Sequence, residues 1–268
     1  MFSLFRPKAK RKAAPSTDGR LVYAIGDIHG RVDALEGLMA VIRADMGSGA
    51  DAAQPLLIFL GDYVDRGPTS REVVDLVIKL QADRAFEVIV LKGNHEEAIL
   101  RFLQEPDFGP VWADYGGLAT LASYGVNPPT GRTDQAAWTA ASEQLSQAMP
   151  KAHFDFYRRL DLMATVGDYA FVHAGVRPGV ALSDQTERDL LWIREDFLTA
   201  PGRFEKIIVH GHTPVEEPQL TKHRIGIDTG AYATGVLTAV RLNDQGSTFL
   251  QAKISRAGQM VPPLAAHP

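Results

Sequence analysis

No cysteine occurs among the 268 residues. That absence removes disulfides, thiolate metal sites and cysteine nucleophiles together, so any hydrolase built on this chain works by other chemistry. It also fits a cytoplasmic setting. Long apolar runs are missing too: none approaches the roughly 18 residues of a membrane span. The stub "MFSLF" is short, with basic residues after it and not before, unlike a secretory signal. Hydrophobic and charged fractions of 45% and 22% are those of an ordinary soluble chain. Positive charge is scarce outside the first 20 residues, which hold six Lys/Arg against Asp18 alone; the remainder has 22 basic and 31 acidic residues. A body this acidic argues against a nucleic-acid-binding surface.

The basic stretch "RPKAKRKAAPSTDG" has no apolar periodicity, so residues 1–19 read as a flexible tail. The alternative use is weak contact with an anionic lipid surface, helped by Phe2, Leu4 and Phe5. "VPPLAAHP" reads as a second loose end, from about residue 256. Between them, residues 20–255 form one domain. "RLVYAIGD", "PLLIFLGD" and "EVIVLKGN" read as strands, each followed by a helical pattern, at Asp33–Ala44, Ser70–Leu80 and "EEAILRFL". Three such units in succession imply parallel strands with right-handed crossovers. Residues 104–165 read as a helical insertion, with helices at Thr133–Met149 and Pro150–Leu160. Short strands with glycine turns and few helices follow, which suggests a second sheet packed on the first.

The strand ends carry the polar residues. After the first three apolar runs come "GDIHGR", "GDYVDRG" and "KGNHEE"; later runs are followed by "HAG" and "HGHTP". A lone histidine or Gly-Asp in such a place is usually structural. Five such coincidences, at the end of a sheet where α/β proteins gather ligands, point to one site. Carboxylate, imidazole and amide donors without thiolate suit Mn, Fe or Zn. Asp27 and His29, two apart on extended backbone, can hold one ion; Asp62 could bridge to another held by Asn94, His173 and His212. Two adjacent ions can turn a shared water into hydroxide and clamp an in-line displacement.

"GDIHG", "GDYVDRG" and "GNHEE" are similar to the signature motifs of the phosphoprotein phosphatase family, within the calcineurin-like metallophosphoesterases. "FVHAG", "LLWIRE" and "HGHTP" look like later motifs of its bacterial and phage lambda-type members. The resemblance spans roughly residues 21–240. It implies an α/β fold of two packed mixed β-sheets flanked by helices, an α/β/β/α sandwich. It also implies two divalent metal ions, Mn foremost and Fe or Zn as alternatives. Asp27 and His29 would ligate the first, Asp62 would bridge, and Asn94, His173 and His212 would ligate the second. His95 would be the general acid, oriented by Asp65, while Arg66 and Arg194 would grip phosphate oxygens through guanidinium forks. In "HGHTP" the family pattern favours His212 over His210.

Where phosphodiesterase relatives carry Gly-His-x-His, this chain has Pro214. With Asp65 and Arg66 intact in "VDRG", that favours a serine/threonine protein phosphatase. It would act on phosphoproteins, phosphopeptides and small phosphate esters by direct attack of a metal-bridging hydroxide. Diadenosine tetraphosphatases share much of the layout, so dinucleoside polyphosphate hydrolysis is the alternative. A catalytically silent phosphoprotein-binding module is the alternative of another class. Trp112, Tyr115 and Gly116–Gly117 are expected in one wall of the substrate groove, with Tyr232 as a further wall residue.

Overall fold

The computed structural model describes residues 15–46 and 54–254, with the backbone of 260–261. In chain order the elements are β1 (Val22–Ile25), α1 (Val32–Met46), β2 (Leu56–Phe59), α2 (Ser70–Gln81), β3 (Glu87–Val90) and α3 (Asn94–Gln104). The insertion holds α4 (Gly109–Asp114), α5 (Gly117–Ser123), α6 (Gln135–Ala148) and α7 (Lys151–Arg158). Then come β4 (Met163–Val166), β5 (Tyr169–Val172), α8 (Glu187–Trp192), α9 (Glu195–Leu198), β6 (Ile207–His210), β7 (Gln219–Leu220) and β8 (Arg224–Gly226). The chain closes with α10 (Ala231–Thr234), β9 (Val236–Asn243), β10 (Gly246–Ile254) and β11 (Met260–Val261).

One sheet runs β11-β10-β9-β1-β2-β3 and the other β4-β5-β6-β8-β7. The expected parallel set is present, with Val22 opposite Leu56 and Leu56 opposite Glu87. Antiparallel β9 pairs with the other edge of β1. β1 and β2 are buried at every position, which is why they are apolar throughout instead of alternating. Tyr23, Ile25, Leu57 and Phe59 pack under α1, α2 and α3. Val22, Ala24, Leu56 and Ile58 face Tyr169, Phe171, Val209 and Ile225 of the second sheet. The outer face of that sheet, Ala170, Val172 and Ile208, is covered by Leu190, Ile193 and Phe197. The layers are therefore helix, sheet, sheet, helix, as expected.

The short helices α8 and α9 cover this outer face in the half that reads as nearly helix-free. Runs of six and four residues are too short to display a helical period. Residues 15–19, read as the end of the tail, are instead held to the body. Ser16 N–H donates to Asp168 at 2.8 Å, and the Thr17 and Gly19 amides donate to Asp244 at 2.6 and 3.1 Å. Residues 1–14, which include Phe2, Leu4 and Phe5, and residues 255–259 and 262–268 lie outside the described residues. No helix among the described residues is long and apolar enough to cross a membrane.

Candidate active site

The loops leaving β1, β2, β3, β5 and β6 converge at one edge of the two sheets. The turn after β1 is tied to the turn after β2: the Ile28 and His29 amides both donate to the Asp62 carbonyl, at 3.0 and 2.9 Å. His29, Asp62, Asp65, Arg66 and His212 account for five of the six non-glycine residues with positive φ among the described residues. Each such conformation costs on the order of 1–3 kcal/mol and persists where surrounding bonds over-determine it, commonly at functional sites. Glycines let carboxylates come close to neighbouring backbone. A Cβ on Gly93 would meet Asp62 Oδ1, and one on Gly211 would meet Asp27 Oδ1.

All eight histidine, aspartate and asparagine residues assigned to the site from sequence come together, each no more than 5% exposed. Asp62 stands in the middle. Its Oδ2 lies 3.5 Å from His29 Nε2 and 3.8 Å from His95 Nε2, while Oδ1 lies 3.5 Å from His173 Nε2. On the second side, Asn94 Oδ1 is 2.9 Å from both His173 Nε2 and His212 Nδ1, which are 3.2 Å from each other. Donor atoms bound at right angles to an ion at roughly 2.1 Å would lie about 3 Å apart, so the spacing suits a shared cation.

Proton bookkeeping supports the same fit. His173 Nδ1 lies 2.9 Å from the Leu60 carbonyl and His29 Nδ1 lies 2.9 Å from the Val64 carbonyl. Both rings therefore donate through Nδ1 and turn a lone pair on Nε2 inward, the usual outer-shell arrangement of a metal-ligating histidine. Burial lowers the pKa of His173, and it drives His29 to about 3 and His212 to about 2, so these rings are neutral. A neutral His173 Nε2 then faces the Asn94 oxygen, acceptor against acceptor, with no proton between them. A cation removes that conflict.

Burial and neighbouring charge act on the carboxylates too. Burial, then the charges of Asp228 and Asp62, push Asp27 well above the usual carboxylate range. Burial opposes ionisation of Asp62 as well, but His173, His95, His29 and His212 around it hold its carboxyl well below that range. Asp228, buried beside Asp27, is pushed up to about 6 by burial. Sequence reasoning missed Asp228, although "IGIDTG" shows the same apolar-run-then-aspartate pattern as "YAIGD" and "IFLGD". The Asp27 carboxylate accepts from the His212 amide at 3.0 Å, and Asp228 Oδ1 accepts from the Gly230 amide at 2.9 Å.

His95 Nδ1 lies 2.6 Å from Asp65 Oδ2, and its Nε2 points towards Arg66 Nη2 at 3.4 Å. Burial lowers the pKa of His95, but Asp62 and Asp65 outweigh it and raise the ring above the ordinary histidine value. Nδ1 is engaged by Asp65, so Nε2 is the ring nitrogen left facing the mouth of the site beside Arg66. Arg66 and Arg194 are exposed. The Arg66 guanidinium lies 4.6 Å from the Tyr232 ring centroid, and the charge of Arg194 is felt at His173 and His212.

The walls differ in part from expectation. Tyr232 packs edge-on against His29 at 5.3 Å and lies 38% exposed, a rim position. Tyr115 flanks His95 at 6.1 Å and Trp192 flanks His212 at 6.2 Å, with the two rings 5.8 Å apart. Trp112, expected in the groove wall, is fully buried and donates its indole N–H to Asp65 Oδ2 at 2.9 Å. His210 points away from the cluster, edge-on to Phe197 at 5.0 Å, and burial lowers it to about 4. Glu96 contacts no ligand side chain by hydrogen bond. It accepts the backbone amides of Asp62, Tyr63 and Gly93, each at 2.9 Å, and so joins two site loops.

The family profile of the calcineurin-like phosphoesterases matches residues 21–238. The chain belongs to the calcineurin-like phosphoesterase family. Its relatives include asymmetrical bis(5'-nucleosyl)-tetraphosphatases named PrpE. That of Bacillus thuringiensis is 31% identical over 231 residues, covering 81% of this chain and 88% of the relative. That of Anoxybacillus flavithermus is 30% identical over 203 residues, covering 69% and 74%. The fold is shared with a provisionally named diadenosine tetraphosphatase at TM-score 0.60 and 19% identity, over 89% of this chain and 96% of that one. A protein serine/threonine phosphatase from Saccharomyces cerevisiae aligns at TM-score 0.54 and 15% identity, over 89% and 81%. This calcineurin-like phosphoesterase is thus a hydrolase of the metallophosphoesterase type. Divalent metals belong to that type, and two side-chain groups, His29 with Asp62 and His95 and Asp62 with His173 and His212, lie close enough that each could hold an ion.

Proposed function

We propose that this phosphoesterase hydrolyses bis(5'-nucleosyl) tetraphosphates asymmetrically, giving a nucleoside triphosphate and a nucleoside monophosphate. The observation that carries this reading is the name borne by relatives about 30% identical over most of their length. Phosphoprotein hydrolysis, placed first on the intact "VDRG", moves to second place. Asp27, His29 and Asp62 would hold one divalent ion, and Asp62, Asn94, His173 and His212 the other. Mn is put first by the family resemblance, and the oxygen-and-nitrogen donor set suits Mn, Fe or Zn. Ions bound there supply Lewis-acid polarisation of phosphoryl oxygens and a water nucleophile at neutral pH. Arg66 and Arg194 would grip the anionic substrate, and His95 would donate a proton from Nε2 to the leaving oxygen. Tyr115 and Trp192 offer partly exposed ring faces to a nucleobase, a contact that tolerates any base because every base has a π-face.

One observation favours the second reading, a protein phosphatase. The Asp65–His95 pair, 2.6 Å apart, favours the protonated imidazole, and a serine or threonine alkoxide needs a proton on leaving more than a nucleoside triphosphate does. The deciding experiment compares kcat/KM of the Mn-loaded protein on diadenosine tetraphosphate and on a phosphoserine peptide. At least a tenfold preference for the dinucleotide is expected. A preference of that size for the peptide would install the second reading. Turnover of neither by folded, metal-loaded protein would point to a silent phosphoprotein-binding module.

A further inference from the structure

Asp65 is fully buried, and its surroundings come from the helical insertion as much as from its own loop. On Oδ2 it accepts from His95 Nδ1 at 2.6 Å and from the Trp112 indole at 2.9 Å. On Oδ1 it accepts the Thr120 hydroxyl at 2.6 Å. The Asp65 amide donates back to Thr120 Oγ1 at 2.9 Å and to Ser70 Oγ at 3.1 Å. The next amide, that of Arg66, donates to the Gly116 carbonyl at 3.2 Å. Trp112 lies in α4, Thr120 in α5, and Gly116 between them. A Cβ on Gly117 would collide with the Trp112 indole, so the two helices close on that ring. Asp65 and Arg66 both have left-handed backbone, with φ of 73° and 67°, a conformation that needs such external support.

We propose that Trp112 and Thr120 are positioning residues: they fix the plane of the Asp65 carboxylate and, through it, the direction in which His95 presents its proton. The insertion is then part of the machinery for leaving-group protonation as well as a wall beside it. The proposal rests on the reading of His95 as the general acid. Two donors on one carboxylate oxygen and one on the other leave Asp65 a single orientation. His95 Nδ1 must follow that orientation to keep its own bond. A displacement of about 1 Å at a reacting group can cost on the order of 100-fold in rate, so the bracing matters most where proton transfer limits turnover.

A bracing role differs from mere satisfaction of a buried carboxylate in its dependence on the leaving group. The test measures kcat of the metal-loaded full chain on phenyl phosphate, whose leaving group needs a proton, and on p-nitrophenyl phosphate, whose leaving group hardly does. Thr120→Val is expected to lose about tenfold or more on phenyl phosphate and no more than about threefold on p-nitrophenyl phosphate, a part of the ~10²–10⁴-fold that general acids supply. Thr120→Ser keeps the hydroxyl and is expected to restore wild-type kcat on both. Trp112→Phe should repeat the Thr120→Val pattern, with thermal unfolding confirming a folded chain. Equal losses on both substrates in Thr120→Val overturn the positioning role, provided His95→Asn shows the unequal pattern. Equal losses in His95→Asn itself remove the acid reading, and the proposal with it.

Discussion

His210 and His212 stand two apart in "HGHTP", yet they have different fates. His212 Nδ1 joins Asn94 and His173, while the His210 ring lies edge-on to Phe197 with its Nδ1 on the Gly211 carbonyl. The residue types alone do not separate them; the family motif and the left-handed turn at His212 do. The separation makes a pH prediction. Burial lowers the folded pKa of His210 to about 4, against about 6.5 when unfolded. Folding therefore excludes a proton, and the stability this group permits is complete above the unfolded value and is lost as pH falls from about 6.5 towards 4. The loss is about 1.4 kcal/mol per pH unit. His210→Leu is expected to lose about 2 kcal/mol less than wild type between pH 7 and pH 5 in urea denaturation, with kcat within about threefold. An identical pH dependence would show that His210 is not the buried neutral group described. At this scale the residues that gather around Asp62 are legible in sequence, because each follows an apolar run. Trp112 and Thr120 are not: nothing near them in the chain announces a bond to Asp65, 47 and 55 residues away.

Among the elements, the loops of the site are held by one another more than by their own strands. Glu96, in the first turn of α3, joins the turn after β2 to the start of its own helix through three backbone amides. Burial, with the nearby Asp62 charge, pushes its carboxyl up to about 8, and these amides oppose that shift. Glu96→Ala would strand three buried N–H groups, each costing about 1–3 kcal/mol, so a loss of about 3 kcal/mol or more is expected in urea denaturation. Stability within about 1 kcal/mol of wild type would mean that water replaces the carboxylate without loss. Element legibility followed length. The long helices α1, α2 and α6 show a 3.6-residue period and were placed within a few residues. The four-residue α9 and the Gly116–Gly117 break between α4 and α5 could not be, since tertiary contacts decide them.

For the whole molecule, two sheets meet face to face and bring five loops to one edge. The order of strand and helix patterns was enough to expect this, because parallel units with right-handed crossovers leave few arrangements. Substrate choice was less legible. Asp65 and Arg66 in "VDRG" pointed to phosphoproteins, whereas relatives over most of the chain bear dinucleotide names. The motifs resemble those of both substrate classes; in the proposed function, rim groups such as Tyr115, Trp192 and Tyr232 would decide what flanks the phosphoryl group. The activity proposed above is that of a metal-dependent phosphoesterase centred on Asp62 and acting on a dinucleoside tetraphosphate. The most direct measurement is phosphorus NMR of diadenosine tetraphosphate incubated with the full chain, with Mn²⁺ and with excess chelator. Expected are ATP and AMP in equal amounts with Mn²⁺ and no hydrolysis under chelation. Undiminished turnover in chelator, or an intact dinucleotide beside folded, Mn-loaded protein, would contradict it.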